Sequence, residues 1–456
     1  MFDPKNLFPS DLLNYKRIGV AFSGGVDSHV LLYSLAKTLN KQKNLYALHI
    51  NHSIDSKSDL WEKHCNEVCK ELKINFVSFK LNLKDKASFN EDDLRKARYS
   101  KLFSWAKDGD VLFTAHHKDD NAETILFRIL RGTAINGLKG IPYKRKVKEV
   151  DLIRPLLNCS KEEILSYAKK NNLVWIEDPS NKDKKFSRNF LRNEVFPLLK
   201  SKWPHYSDAF EKLAHHASLT QESIDEIADR DINEILLTDP NQLSVSKLVK
   251  LSNARRRNLI YRWLSIFCPK TVSTKLVDEV IKTFLISNYK TEATVSIGRK
   301  GRGGSTQIRR YEDKLFLLPT FSDLSNQQDI SLEWDMKNSL ELSTGKLSAV
   351  KTIGKGIQTD STNNKVKIQF RSGGERCRPA GRMKSQTLKK LFQEYSIPPW
   401  LRDRLPLIYV EGEIAAVANI WTCEDFLASK EQYGMIFDWK DNLNNINLLK
   451  ERTNGF

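Results

Sequence analysis

Apolar and polar positions follow two different rhythms along the first two hundred residues. RIGVAF (17–22) is a short, almost uninterrupted apolar run, the pattern of a buried strand, and HVLLYSLAKTL (29–39) returns apolar residues at helical spacing. NLYALHI (44–50) and INFVSFK (74–80) read as second and third strands, with a helix pattern from Leu60 to Leu72 between them. EDDLRKARYSKLFSWAK (91–107) is helical in period, and VLFTAHH (111–117) is a fourth strand. DDNAETILFRILRG (119–132) opens on acids and closes on glycine, as a helix does, with Ile125, Leu126, Ile129 and Leu130 as its expected core face. Strand–helix alternation of this kind predicts an α/β domain, a parallel sheet with helices on both faces. Ligands of such sheets collect outside the carboxyl ends of the strands. Two polar stretches, SGGVDS (23–28) and AHHKDDNAET (115–124), fall at such ends.

The pattern changes after about residue 204. FEKLAHHASLTQESIDEIADRDINEIL (210–236) and SVSKLVKLSNARRRNLIYRWLSIF (244–267) have helical spacing, which predicts a mainly α domain over 205–330. FSDLSNQQDIS, from Phe321, is a polar candidate linker. The remainder, 331–456, mixes strand-like VKIQF, helical SQTLKKLFQEY and PLIYVEGEIAAVANIW, a hairpin pattern with Glu-Gly at its turn. A small α+β C-terminal domain is expected there. The first domain is assigned to 1–204.

Charge adds a partner class. The 456 residues carry 74 basic and 56 acidic side chains, a formal net charge of +18, which suggests a polyanion such as nucleic acid. Three stretches concentrate it: KGIPYKRKVK (139–148), NARRRNLIYR (253–262) and residues 376–390, the last with six positive charges and no negative one. The six cysteines form no Cys-x-x-Cys pair, so zinc ribbons and paired redox cysteines find no support, and Cys65 and Cys69 are expected to pack. The N-terminal MFDPKNLF lacks a signal-peptide pattern and no apolar run approaches membrane-spanning length, so a cytoplasmic protein without membrane contact is expected.

SGGVDS places two glycines, two hydroxyls and one carboxylate where a strand turns into a helix, a position that favours an anion. It has neither the lysine of a Walker loop nor the spacing of a dinucleotide fingerprint. Gly24 and Gly25 permit close backbone approach, Ser23 and Ser28 can donate hydrogen bonds, and Asp27 can hold Mg²⁺ beside phosphates. In the second stretch Asp120 and Glu123, three apart, share one helix face near its N-terminus, where their charged forms are favoured. Trp400 and Trp421 can stack on RNA or belong to the core.

SGGVDS resembles the pyrophosphate loop of the N-type ATP pyrophosphatases, the PP-loop superfamily. Together with AHHKDDNAETILFRILRG it resembles the tRNA(Ile)-lysidine synthase family, and further segments agree in order: IRPLL (153–157), KEEILSYAKK (161–170), WIEDPSN (175–181), FSRNFLRNEVFPLL (186–199), RSGGERCRPAGR (371–382), LKKLFQEYSIPPWLRDRLPLIY (388–409) and the strand pair ending in ANIW. The middle region carries the resemblance only by position. Asn121 stands where glutamine is usual and TAINGLKGI is a looser version of the family's sequel, which puts fine geometry in doubt. The resemblance implies a PP-loop ATPase domain followed by two tRNA-binding domains, and a ligase joining free L-lysine to C2 of cytidine 34 in the isoleucine tRNA with a CAU anticodon. The products would be lysidine, AMP and pyrophosphate, formed through an adenylated cytidine, and decoding would change from AUG to AUA. It implies ATP and Mg²⁺ as cofactors, with Ser23, Gly24, Gly25, Val26, Asp27 and Ser28 on the phosphates and Asp27 on Mg²⁺. Backbone near His49 to His52 would meet adenine. Asp120 and Glu123 would hold and deprotonate lysine, with Asp27 able to share that work, and Arg95 and Arg188 would take its carboxylate or the α-phosphate. Arg128 and Arg131 are left to RNA or packing. Oligomeric state is open, a homodimer included.

Two alternatives remain at this level. One is another adenylating enzyme of the same fold, making NAD or GMP or thiolating RNA. The other is an RNA-binding protein with a silent nucleotide fold, which would be expected to lose Asp27, Asp120 and Glu123.

Overall fold

The computed structural model describes residues 7–39, 44–51, 58–81, 91–177, 185–237, 239–268, 272–286, 293–298, 306–320, 331–358 and 365–442. The chain divides into two compact units, 1–223 and 224–456.

The first unit is built on a six-stranded sheet. Its elements are β1 (Ile18–Ala21), α1 (Val26–Leu39), β2 (Leu45–Asn51), α2 (Ser58–Leu72), β3 (Asn75–Lys80), α3 (Glu91–Trp105), β4 (Val111–Phe113), α4 (Lys118–Leu130), α5 (Ile135–Leu138), β5 (Lys144–Val147), β6 (Val150–Ile153) and α6 (Lys161–Lys170). Strand order is β3-β2-β1-β4-β6-β5. The first five are parallel, as expected, and β5 is an antiparallel edge formed by the basic segment KRKV. Charged side chains on an edge strand discourage pairing with another chain.

Both faces of the sheet are covered. Ile18, Val20, Leu31, Leu35, Cys65, Cys69, Ile164 and Ala168 form a core with α1, α2 and α6, while Leu48, Leu102, Leu112 and Leu152 form a second core with α3. Cys65 and Cys69 are packing residues here, as expected. Gly19 is required where α3 meets the sheet, because a Cβ there would lie 2.7 Å from the Trp105 ring. The chain passes outward from β1 to β2 and β3, then crosses back to β4, so the β1 and β4 ends are neighbours at the point where strand order reverses.

Helix α4 corrects one expectation. Ala122 and Ile125 are fully buried, but Ile129 and Leu130 are exposed. The apolar spacing continues past the point where the helix leaves its neighbours, so only the first two turns have a core to face. Ala122, Leu126 and Phe127 pack instead on Leu191 and Phe196 from the segment α7 (Ser187–Phe190) and α8 (Phe196–Lys202). Helix α9 (Tyr206–Ile235) follows.

In the second unit helices predominate over 224–286, the three after α9 being Val245–Lys250, Asn253–Phe267 and Thr274–Ile281. A four-stranded antiparallel sheet (Gln242–Ser244, Thr294–Ile297, Thr306–Tyr311 and Lys314–Pro319) joins them, a feature absent from the periodicity reading. The candidate linker at 321–330 lies outside the described residues. Beyond it, a five-stranded and a four-stranded sheet share one core with Leu388, Leu391, Phe392, Leu401 and Leu405. The expected hairpin is present: Leu407–Val410 pairs with Glu413–Val417, and both turn residues, Glu411 (φ 51°) and Gly412 (φ 90°), are left-handed. That geometry matches the twist of the flanking strands. Trp400 is buried, and Trp421 is partly buried against Phe392 and Tyr395, so both pack on the C-terminal core.

Candidate active site

The turn after β1 is closed by its own serines. Ser28 Oγ donates to the Gly25 carbonyl at 2.9 Å and accepts from the Ser23 N–H at 3.2 Å, while the two hydroxyl oxygens lie 3.2 Å apart. Gly24 has φ +85°, and a Cβ there would sit 3.0 Å from Cys65 Sγ and from Ile176 Cδ1. The start of WIEDPSN meets this point, the Ile176 N–H donating to the Gly24 carbonyl at 2.9 Å; residues 178–181 lie outside the described residues. Val26 is buried and Asp27 stands in the first turn of α1, where backbone N–H groups have no partner within the helix. On the neighbouring strand, buried His49 is held to the Phe22 carbonyl at 3.0 Å, and His52 lies outside the described residues.

The end of β4 supplies the opposing wall. The His117 N–H donates to Asp120 Oδ2 at 3.1 Å, closing the N-terminus of α4. The buried His117 ring places Nε2 3.4 Å from Asp120 Oδ2 and 3.9 Å from Asp27 Oδ2, and Nδ1 3.5 Å from Asp119 Oδ2. It therefore bridges the two motifs. Burial disfavours charge on this ring, but Asp120, Asp119 and Asp27 prevail and raise its pKa. Asp119 accepts from the Tyr206 hydroxyl at 2.6 Å and from the Lys161 N–H at 3.0 Å. Burial works against its charge, yet His117 and Tyr206 hold it well below the carboxylate range.

Two arginines complete this wall. Between α7 and α8 the chain forms one wide turn over Leu191–Val195, with the Phe196 N–H bonded to the Leu191 carbonyl five residues back. Pro197, which has no N–H and cannot sit in a regular helix interior, follows at once. Arg192 Nη2 bonds Asp120 Oδ1 and Glu123 Oε2, each at 2.7 Å, and its Nε reaches Glu123 Oε2 at 3.1 Å. Arg188 Nη1 lies 3.6 Å from Glu123 Oε1, with its guanidinium 5.5 Å from the Phe127 ring centre. The Glu123 side chain is 4% exposed. Burial pushes its pKa up against the pull of Arg192, while at Asp120 burial is outweighed by His117 and Arg192 and the pKa falls.

Asp27, Asp120, Glu123 and Arg188 are thus brought together. Arg95 stands at the margin, its guanidinium 5.4 Å from the Tyr99 ring centre; burial, then Arg188 and then Arg95 lower the pKa of Arg128. Arg128 is a packing residue, donating to the Gly137 and Gly140 carbonyls at 2.9 Å each. Asn121 and its loop fit one another: Asn121 Oδ1 accepts from the Ile141 N–H at 2.7 Å, and a Cβ on Gly140 would lie 2.1 Å from that oxygen.

Sequence reasoning missed His117, Arg192 and Lys161. Arg192 had a signal, since it lies four residues after Arg188 on the same helical face. The apolar pattern carries the fourth strand through His117, but the strand ends at Phe113 and the histidine caps a helix. Lys161, whose Nζ is 2.5 Å from Asp27 Oδ1, had none.

Magnesium commonly pairs one or two carboxylates with substrate phosphate oxygens. Asp27 offers such an oxygen in the first turn of α1, beside the phosphate-type turn. The donor set therefore fits an ion shared with phosphates.

Family models match in three places: a PP-loop domain over residues 5–199, a TilS substrate binding domain over 243–316 and a TilS substrate C-terminal domain over 366–439. The tRNA(Ile)-lysidine synthase of Coxiella burnetii is 36% identical over 440 residues, covering 95% of this chain and 96% of its own. That of Legionella pneumophila (strain Paris) is 36% identical over 411 residues, covering 90% and 92%. Among solved structures, a U34-tRNA thiolase from Methanococcus maripaludis aligns over 47% of this chain and 75% of its own, at 19% identity and a TM-score of 0.41. Identity at this level along nearly the whole length, on a chain whose two polar motifs meet at one sheet end, shows that it belongs to the tRNA(Ile)-lysidine synthase family.

Proposed function

We propose that the protein ligates free L-lysine to C2 of cytidine 34 in the isoleucine tRNA with a CAU anticodon, in the cytoplasm, changing decoding from AUG to AUA. The cytidine O2 attacks the α-phosphate of ATP and pyrophosphate leaves. The lysine ε-amine then attacks C2 and AMP leaves with that oxygen. The observation that carries this reading is the bridge made by His117, whose Nε2 faces both Asp27 of the phosphate-type turn and Asp120 of the acid pair.

The residues divide the work by their environments. The turn at Ser23–Ser28 receives the phosphate tail through backbone N–H groups, and Asp27 would hold magnesium, which when bound draws charge from that tail. Free lysine has an amine pKa near 10.4, so its neutral form lies about 4.6 kcal/mol uphill at pH 7. Asp120, held ionised by His117 and Arg192, anchors the ammonium; Glu123, pushed up by burial, accepts the proton. Arg188, with its long 3.6 Å pair, and Arg95 at the margin take the lysine carboxylate or the α-phosphate.

Regions 205–330 and 331–456 supply tRNA contacts in this reading. Their basic runs contribute unequally. In NARRRNLIYR, Arg255 pairs with Asp231, Arg257 with Asp278 and Arg262 with Asp225 and Asp229, while Arg256 bonds three backbone carbonyls. These arginines tie helices together, which weakens their claim as tRNA footing. In 376–390, Arg378 pairs with Asp425 and Arg382 with Glu394, but Lys384, Lys389 and Arg376 make no ion pair among the described residues. Replacing Arg376, Arg378 and Arg382 by glutamine is expected to weaken tRNA binding and lower the slope of log affinity against log salt by about 1–2, less than three free charges would give. Unchanged binding at every salt concentration, measured by filter retention, would remove this domain from the tRNA interface.

The function itself is tested with ATP, magnesium, labelled lysine and bulk tRNA. Label in one tRNA species, with AMP and pyrophosphate formed in equal amounts, is expected. ADP as the nucleotide product, or AMP release with ammonia in place of lysine, would overturn it.

A further inference from the structure

The turn that receives the phosphate tail contains no cation, yet the tail of ATP is the most highly charged part of any ligand this site would bind. A Walker loop solves this with a lysine inside its own sequence. Here a cation reaches the turn from elsewhere in the chain. Lys161 opens α6, 134 positions after Asp27, and its Nζ lies 2.5 Å from Asp27 Oδ1. Its position is held on three sides. Ser160 caps α6 by accepting from the Glu163 N–H at 3.2 Å, the Lys161 N–H donates to Asp119 Oδ2 at 3.0 Å, and Asp119 is itself held by Tyr206. The side chain remains 34% exposed, so it is not sealed in the core.

The other cations of the site are engaged differently. Arg192 is bonded to Asp120 and Glu123, and Arg188 faces Glu123, both on the α4 wall. Lys161 bonds to the phosphate turn's own carboxylate.

We infer that Lys161 is a nucleotide-binding residue, the cation of the phosphate turn supplied from α6, whose ammonium bonds an oxygen of the β- or γ-phosphate and stays with the pyrophosphate as it leaves. The inference rests on the adenylating reading of this site. With no nucleotide present the ammonium neutralises Asp27. An ammonium has three donors, so it can bond a phosphate oxygen while keeping Asp27 in reach.

The test compares ligands that do and do not carry the tail. Inorganic pyrophosphate and AMP are titrated separately into the full-length wild type, Lys161→Met and Lys161→Arg, with affinity read by calorimetry. A charged hydrogen bond of the usual strength predicts about a tenfold or greater loss of pyrophosphate affinity in Lys161→Met. AMP affinity is expected to stay within twofold, and Lys161→Arg to recover most of the loss. Equal weakening of both ligands would mean that Lys161 only shapes the site, and unchanged pyrophosphate affinity would mean that it serves Asp27 alone; either result overturns the inference. Failure of the adenylating reading looks different: the wild type itself would then turn ATP over to ADP or bind neither ligand.

Discussion

Asp27→Asn is expected to abolish ATP-dependent incorporation of lysine, lowering the rate of pyrophosphate release by about 10²–10³-fold or more, the usual cost of removing one charged group from a preorganised site. The substitution keeps the size of the side chain and removes only its charge. It leaves Lys161 without its ion-pair partner and takes one of three acids from around His117. Because the Asp27 side chain is 29% exposed, little folding stability is expected to go with it, about 1 kcal/mol or less. Affinity for tRNA should stay within a few fold, since phosphate contacts across a large basic surface dominate binding. Single-turnover release of pyrophosphate and filter binding of tRNA separate the two effects. A fully active variant would remove Asp27 from the chemistry.

Arg192→Met acts on stability as well as on rate. Arg192 is the shared partner of Asp120 and Glu123, and the Glu123 carboxylate is almost completely buried. Arg192 itself is 46% exposed and Arg188 still faces Glu123, so its loss leaves that buried charge only partly compensated, at a cost of about 1–2 kcal/mol. For a unit of this size that corresponds to a fall of about 2–8 °C in melting temperature. Loss of the pair also lets burial push the Glu123 pKa further up, so activity is expected to fall at neutral pH. The double variant Arg192→Met/Glu123→Gln should regain much of the lost stability, because it no longer buries an unpaired charge, yet stay inactive. If melting is unchanged in the single variant, the pair is too well solvated to matter. If the double variant is no more stable than the single, the loss comes from packing.

The parallel sheet, the helices on its faces and the two polar motifs were legible because each depends on local spacing. A buried strand needs a short apolar run, an amphipathic helix needs a 3.6-residue repeat, and a turn at φ +85° calls for Gly24. The hairpin at Glu411-Gly412 was legible for the same reason. The four-stranded sheet of the middle region was not. Its strands are three to six residues long, and although Thr306–Tyr311 and Lys314–Pro319 are neighbours in sequence, Gln242–Ser244 joins Lys314–Pro319 from across the intervening helices, a pairing no local window contains.

At the site the division is similar. That Asp27 follows a glycine turn and that Asp120 and Glu123 share a helix face are local facts, written in a few consecutive residues. What could not be read locally is which charge meets which. Lys161 reaches Asp27 across 134 positions, and Arg192 reaches Glu123 across 69. The arginines of NARRRNLIYR, which look alike as a basic run, turn out to face acids of α9 and Asp278 or backbone carbonyls. Order along the chain is enough to set turns, helix faces and strand cores, since these arise from neighbours a few bonds apart. The pairing of buried charges depends on distance through space and on exclusion of water, and both exist only after the sheet and its covering helices have packed.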